Sequence, residues 1–88
     1  MDDNQGEIVR VLRDCGATVQ PLHAVGQGCP DLLVGWRGIS FCIEVKDGSK
    51  VPSKRLLTPA QQEWHEAWQG HKAIVETPEQ ALRVIGAI

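Results

Sequence analysis

The residues of this chain best suited to chemistry are two carboxylates and an ammonium: Asp31, Glu44 and Lys46. They lie within Asp31-Leu-Leu-Val-Gly-Trp-Arg-Gly-Ile-Ser-Phe-Cys-Ile-Glu-Val-Lys46, where Arg37-Gly38 separates two apolar runs. A two-residue hairpin loop at Arg37-Gly38 pairs residues whose numbers sum to about 75. That register sets Leu32, Val34, Trp36, Ile39, Phe41 and Ile43 on one face. Asp31, Leu33, Gly35, Ser40, Cys42 and Glu44 fall on the other, with Lys46 following by the strand period of two. The first set is wholly apolar, which supports the register. Asp31 then stands directly opposite Glu44, a like-charge pair that destabilises a sheet unless something positive lies between the two. Lys46 could serve. Mg²⁺ fits better, because it takes hard oxygen ligands from one or two carboxylates and completes its octahedron with water and phosphate. Glu-Val-Lys alone would read as a salt-bridged strand face. With Asp31 opposite, the set reads as machinery for metal-assisted phosphodiester hydrolysis.

Several elements must position this pair. Ile8, Val11, Leu12 and Cys15 follow helical spacing within Asp3 to Cys15, with Asp2, Asp3 or Asn4 as cap and Gly16 as stop. Thr18 to Leu22 reads as a short strand, and Val25-Gly-Gln-Gly-Cys-Pro30 as a turn-rich loop leading into the hairpin. Thr58-Pro-Ala-Gln61 is a capping box with proline at the first helical position, followed by Trp64, Ala67 and Trp68 on one face. Lys72 to Glu76 reads as a strand, and Thr77-Pro-Glu-Gln80 repeats the helix-start grammar. The predicted order is α-β-β-β-α-β-α. Between the hairpin and the second helix, Asp47 to Leu57 is a polar loop long enough to be mobile.

The 88 residues leave room for one small domain, residues 1–88, with one core. Hydrophobic residues at 42% and charged residues at 23% are those of a chain that folds. No apolar run approaches a membrane span, and Met-Asp-Asn-rich residues replace a basic and apolar leader, so the cytoplasm is the expected home, or the host's if the source is viral. Cys15, Cys29 and Cys42 form no Cys-x-x-Cys pair, and His23, His65 and His71 have no ligand spacing. A net charge of −2 excludes coating of nucleic acid by bulk electrostatics, so any DNA contact must be local. Lys46, Lys50, Lys54 and Arg55 supply a local basic cluster.

Gly28-Cys-Pro-Asp31, then Glu44-Val-Lys46, then Leu57-Thr-Pro-Ala-Gln61-Gln-Glu-Trp64 resemble the signature of the PD-(D/E)xK nucleases, and within them the stand-alone VRR-Nuc family. The resemblance extends to an N-terminal helix with a glutamate, here Glu7, and to the closing Ala73 to Leu82. It implies a restriction-endonuclease-like α/β (α+β) fold with a mixed central sheet flanked by helices. It also implies that Asp31, Glu44 and the carbonyl of Val45 bind Mg²⁺, with Mn²⁺ able to substitute, and that Glu7 completes the metal site. Lys46 would orient the attacking water, with Gln61 beside it, and Lys50, Lys54 and Arg55 would contact phosphates. The activity so implied is a homodimeric endonuclease acting on branched DNA, including four-way junctions. Two alternatives stay open at this point: a nuclease directed at flaps, nicks or a preferred sequence, and a non-catalytic DNA-binding module that kept the fold.

Overall fold

The computed structural model describes residues 3–88. Its elements run α1 (Gln5–Asp14), β1 (Thr18–Pro21), β2 (Leu32–Trp36), β3 (Ile39–Val45), a 3-10 turn (Pro52–Lys54), α2 (Pro59–Ala67), β4 (Lys72–Val75) and α3 (Pro78–Ile85). The order is the predicted one. The sheet is mixed, ordered β1-β2-β3-β4, with antiparallel pairing up to β3 and parallel pairing of β3 with β4. A parallel pair needs a crossover, and α2 supplies it. No described helix is long and apolar enough to cross a membrane.

The hairpin has the predicted register, from Trp36 opposite Ile39 to Leu32 opposite Ile43. Arg37 (φ 51°) and Gly38 (φ 82°) both take left-handed backbone, as a two-residue loop matching the strand twist requires. Its apolar face packs on α1 and α3, where Leu32, Val34, Ile43, Ile8, Leu12 and Ala81 are wholly buried. Trp36 and Ile39, at the hairpin tip, are respectively half-buried and exposed. From Phe41 to Val45 β3 is buried on both faces, so it is the central strand in packing as well as in order.

The helix ends show where local grammar holds and where it yields. Thr58 caps α2 with its hydroxyl accepting from the Gln61 N–H (3.2 Å) while Gln61 Oε1 accepts from the Thr58 N–H (2.9 Å), the full capping box. At α3, Thr77 caps in the same way, but Gln80 Oε1 takes the N–H of Glu76 instead (2.6 Å). At α1 the N-cap is Asn4, whose side chain makes no cap bond; of the other caps considered, Asp2 lies outside the described residues. The Asn4 amide donates across the molecule to the carbonyls of Lys46 (3.0 Å) and Glu76 (2.7 Å). A short polar side chain that could satisfy its own helix thus ties that helix to the end of β3.

Helix α2 contributes no side chain to the apolar core. Trp64 and Trp68 stack on each other (4.9 Å, 14° between planes), and Trp68 remains 45% exposed. The helix is held by polar contacts. The Lys72 ammonium donates to the carbonyls of His65 and, at 2.8 Å, of Trp68, closing the C-terminal end against β4. The cost of cavity creation in the single core is testable at Ile43. Ile43→Ala is expected to lower unfolding free energy by about 2–5 kcal/mol, read as a reduced urea midpoint with an unchanged slope.

Candidate active site

β3 runs two residues past its last partner on β2, because the ladder ends at Leu32 opposite Ile43 while β3 continues to Val45. The N–H groups of Cys42 in β3 and of Lys46 just after it bond to the carbonyls of His71 and Val75 on the β4 side. Val45 therefore points its backbone to the other side, where β2 has stopped. Its N–H is taken by Asp31 Oδ2 at 2.8 Å. A carboxylate thus completes the ladder where a backbone carbonyl would otherwise stand, and the carbonyl of Val45 lies on the same open edge.

Extending the register by one residue sets Asp31 beside Glu44. Glu44 is 1% exposed, and Lys46 is 9% exposed. Both carboxylates act on one neighbour: the Cys29 thiol is pushed up from its ordinary value, first by burial and then by Glu44 and Asp31. Glu44 and Asp31 thus both lie near the Cys29 thiol at the strand end.

A buried ammonium must be hydrogen-bonded to be tolerated. Lys46 Nζ donates to Gln61 Oε1 at 3.0 Å, the same oxygen that accepts from the Thr58 N–H. Gln61 is both a cap and a partner of Lys46, so the two explanations for a glutamine at this position hold together. What brings α2 close enough is Gly28. Its φ is +78°, and a Cβ there would overlap the carbonyl of Ala60 and lie 2.9 Å from the Gln61 nitrogen. Only a residue without a side chain lets the loop before Asp31 lie against the first turn of α2.

The resulting cleft has a volume of about 270 Å³ and is lined by His23, Gly26, Gly28, Cys29, Asp31, Thr58 and Gln61. Of the acidic pair, Asp31 lines this cleft while Glu44 is buried on β3 beside it in the register. Among the described residues no three His, Cys, Asp or Glu side chains gather as a metal cage. Two carboxylates and a backbone carbonyl, with the remaining positions left to water and phosphate, are what Mg²⁺ accepts. The donor set therefore fits the group that the sequence resemblance implies.

One expected ligand is not brought to this set. Glu7 is exposed on α1, whereas Gln5 is 3% exposed on the same helix. The reason is angular. Gln5, Ile8 and Leu12 share the buried face at spacings of three and four, and Glu7 lies about 100° from Ile8 around the helix. The same spacing, read in the sequence, puts Gln5 rather than Glu7 on the buried face of α1. Asn4 and Lys72, which fix α1 and α2 to the sheet, carry no such local signal.

The basic cluster divides. Arg55 Nη1 pairs with Glu76 Oε2 at 3.6 Å, both side chains being 34% exposed, so its charge is already opposed. Lys54 is exposed and Lys50 half-buried on the loop after β3. That loop has its own order. Asp47 Oδ1 accepts from the Ser49 hydroxyl (2.6 Å) and N–H (3.0 Å), bonds that, with Lys50, hold its carboxyl below the usual range.

A solved structure described as a VRR_NUC domain is similar to this chain over 96% of each, with a TM-score of 0.66 and 26% sequence identity. No protein-family model matches the chain, and no curated protein does. The four-stranded mixed sheet with its helices is consistent with the PD-(D/E)xK-like class of fold. Within that class the structural match supports membership of the VRR-Nuc family, in agreement with the Gly28-to-Gln61 motifs.

Two predictions follow from these contacts. Gly28→Ala should push α2 off the loop, lengthen the Lys46 to Gln61 bond and lower stability by about 1–3 kcal/mol, as strain at positive φ adds to overlap. Urea unfolding checks it, and an unchanged midpoint would contradict it. The second concerns His65, 8% exposed and one turn beyond Gln61. Burial first, then Lys72 and Lys46, hold its imidazole below the ordinary 6.5. The unfolded chain then takes up the proton first, so the stability tied to neutral His65 is full above about pH 6.5 and is lost as pH falls through the lower folded value. His65→Leu should flatten the fall in unfolding free energy between about pH 7 and 5.

Proposed function

We propose that this protein is a metal-dependent endonuclease that hydrolyses phosphodiester bonds in branched DNA, four-way junctions included, as a homodimer. The observation that carries the reading is the convergence of Asp31, buried Glu44 and buried, Gln61-bound Lys46 at one strand end. Burying one carboxylate and an ammonium beside a second, half-buried carboxylate costs folding free energy that an apolar strand end would not, which is the pattern of residues kept for chemistry. The likeness to a VRR_NUC domain supports the nuclease class and hence a DNA substrate.

In this reading Asp31, Glu44 and the Val45 carbonyl hold Mg²⁺ or Mn²⁺. The bound cation supplies charge neutralisation at the phosphate and acidifies water. Asp31 is oriented for that role by the Val45 N–H, and Lys46 by Gln61. Lys46 faces the phosphate as a donor: it orients the attacking water and stabilises the negative charge that grows on the non-bridging oxygens. As the new P–O bond forms from water, the bridging P–O bond breaks, leaving one phosphate end and one hydroxyl end. Lys50 and Lys54 contact neighbouring phosphates without reading sequence, and Arg55 joins them on leaving Glu76. A two-fold dimer presents two such sites to symmetric strands of a junction, which one copy of 88 residues is too small to enclose.

The test is cleavage of labelled four-way junction, flap, nicked duplex, intact duplex and single strand with Mg²⁺, Mn²⁺ or chelator. Wild type should cut the junction in symmetric pairs only with metal, and Lys46→Ala should lower the rate about 10²–10³-fold while still binding DNA. Cutting of flap or nicked DNA alone would replace the junction assignment. Binding without cutting on every substrate would leave a DNA-binding module.

A further inference from the structure

One wall of the cleft takes no part in the chemistry above. β1 ends at Pro21 opposite Leu32, and the next residue, Leu22, donates its N–H to the carbonyl of Asp31 at 2.7 Å. The Leu22 carbonyl then accepts from the Val25 N–H at 2.9 Å, which closes a four-residue turn. His23 is the first corner of that turn. It is thus fixed one residue from a direct backbone bond to Asp31, at the border of the cleft that Asp31, Thr58 and Gln61 line and of a second groove formed with Gln5, Val9 and Arg13.

The other lining residues are already committed. Gly26 and Gly28 have no side chain, Cys29 keeps its proton beside two carboxylates, and Thr58 and Gln61 are bound to each other, with Gln61 also on Lys46. His23 is exposed, and no hydrogen bond among the described residues engages its ring. A phosphodiester entering between Asp31 and α2 carries two non-bridging oxygens, each needing donors once its water is stripped. Lys46 serves from the β3 side.

We propose that His23 is a further catalytic residue, donating a ring N–H hydrogen bond to a non-bridging oxygen of the scissile phosphate from the β1 side of the cleft. The assignment rests on the nuclease reading. A neutral imidazole has the required N–H, so the contact does not depend on ring protonation. Because the oxygen gains charge as water attacks, the bond tightens in the transition state and acts more on kcat than on KM.

The experiment compares wild type, His23→Ala and His23→Gln on a labelled four-way junction, with kcat and KM in Mg²⁺, affinity in chelator, and urea unfolding. Alanine should lower kcat about 10–100-fold, the range for a hydrogen bond to a charged group, with KM and the urea midpoint little moved. Glutamine, which keeps an N–H donor, should recover part of the loss. Wild-type cleavage by the alanine variant, loss only in step with stability, or glutamine as inactive as alanine would each overturn the assignment. The chelator arm separates it from the function itself. If wild type cuts nothing, the nuclease reading fails. The phosphate contact then stands only if alanine weakens junction binding several-fold and glutamine restores it, and falls if affinity is unchanged.

Discussion

The site depends on one mismatch of lengths, that β3 outruns β2. Where β2 ends, Val45 has backbone groups with no strand to meet, and the Asp31 carboxylate takes the N–H. An unmet backbone donor in a buried strand would cost about as much as a lost hydrogen bond, so Asp31 is held by the folding of the sheet itself. Glu44, on the adjacent residue of β3, is carried into place by the same ladder. The acidic pair is therefore set by strand pairing and needs no flexible loop to assemble it.

Lys46 is positioned differently. Its backbone directly follows β3 and is tied to β4 through the N–H bond to Val75, but its ammonium is oriented by α2, which has no part in the apolar core. The helix stays on the sheet through Gly28 against Ala60 at one end and Lys72 on the last carbonyls at the other. One half of the site is thus built on the packed core and the other on polar contacts. In small folds local stability follows buried apolar contact, so the opening of α2 is opposed less than that of the helices packed in the core.

This division also explains how much could be read from the sequence. The hairpin register, with the placement of Asp31 beside Glu44 that follows from it, and the Thr58 box were legible because each follows from a short-range rule: strand alternation, a two-residue turn, or a side-chain cap. The resemblance supplied the fold type, which the comparison with a VRR_NUC domain bears out. Glu7 lies on the exposed face of α1, a placement that the spacing of Gln5, Ile8 and Leu12 already implied. Asn4 was a different case. Its type favours a local cap, and only the tertiary structure makes the Lys46 and Glu76 carbonyls better partners. Nor does any local pattern report that Gly28 lies against Ala60, or that Lys72 spans to α2. Those contacts join distant segments and leave no period.

The double use of the Gln61 oxygen bears on how such domains are to be compared. A side chain that both closes a helix start and orients a buried ammonium is retained for folding even where selection on chemistry has lapsed. Glutamine at this position is thus weak testimony that a relative is active. On the proposed function Lys46 is the more informative marker, since a buried lysine is costly to the fold and would be among the first residues to drift where no chemistry required it.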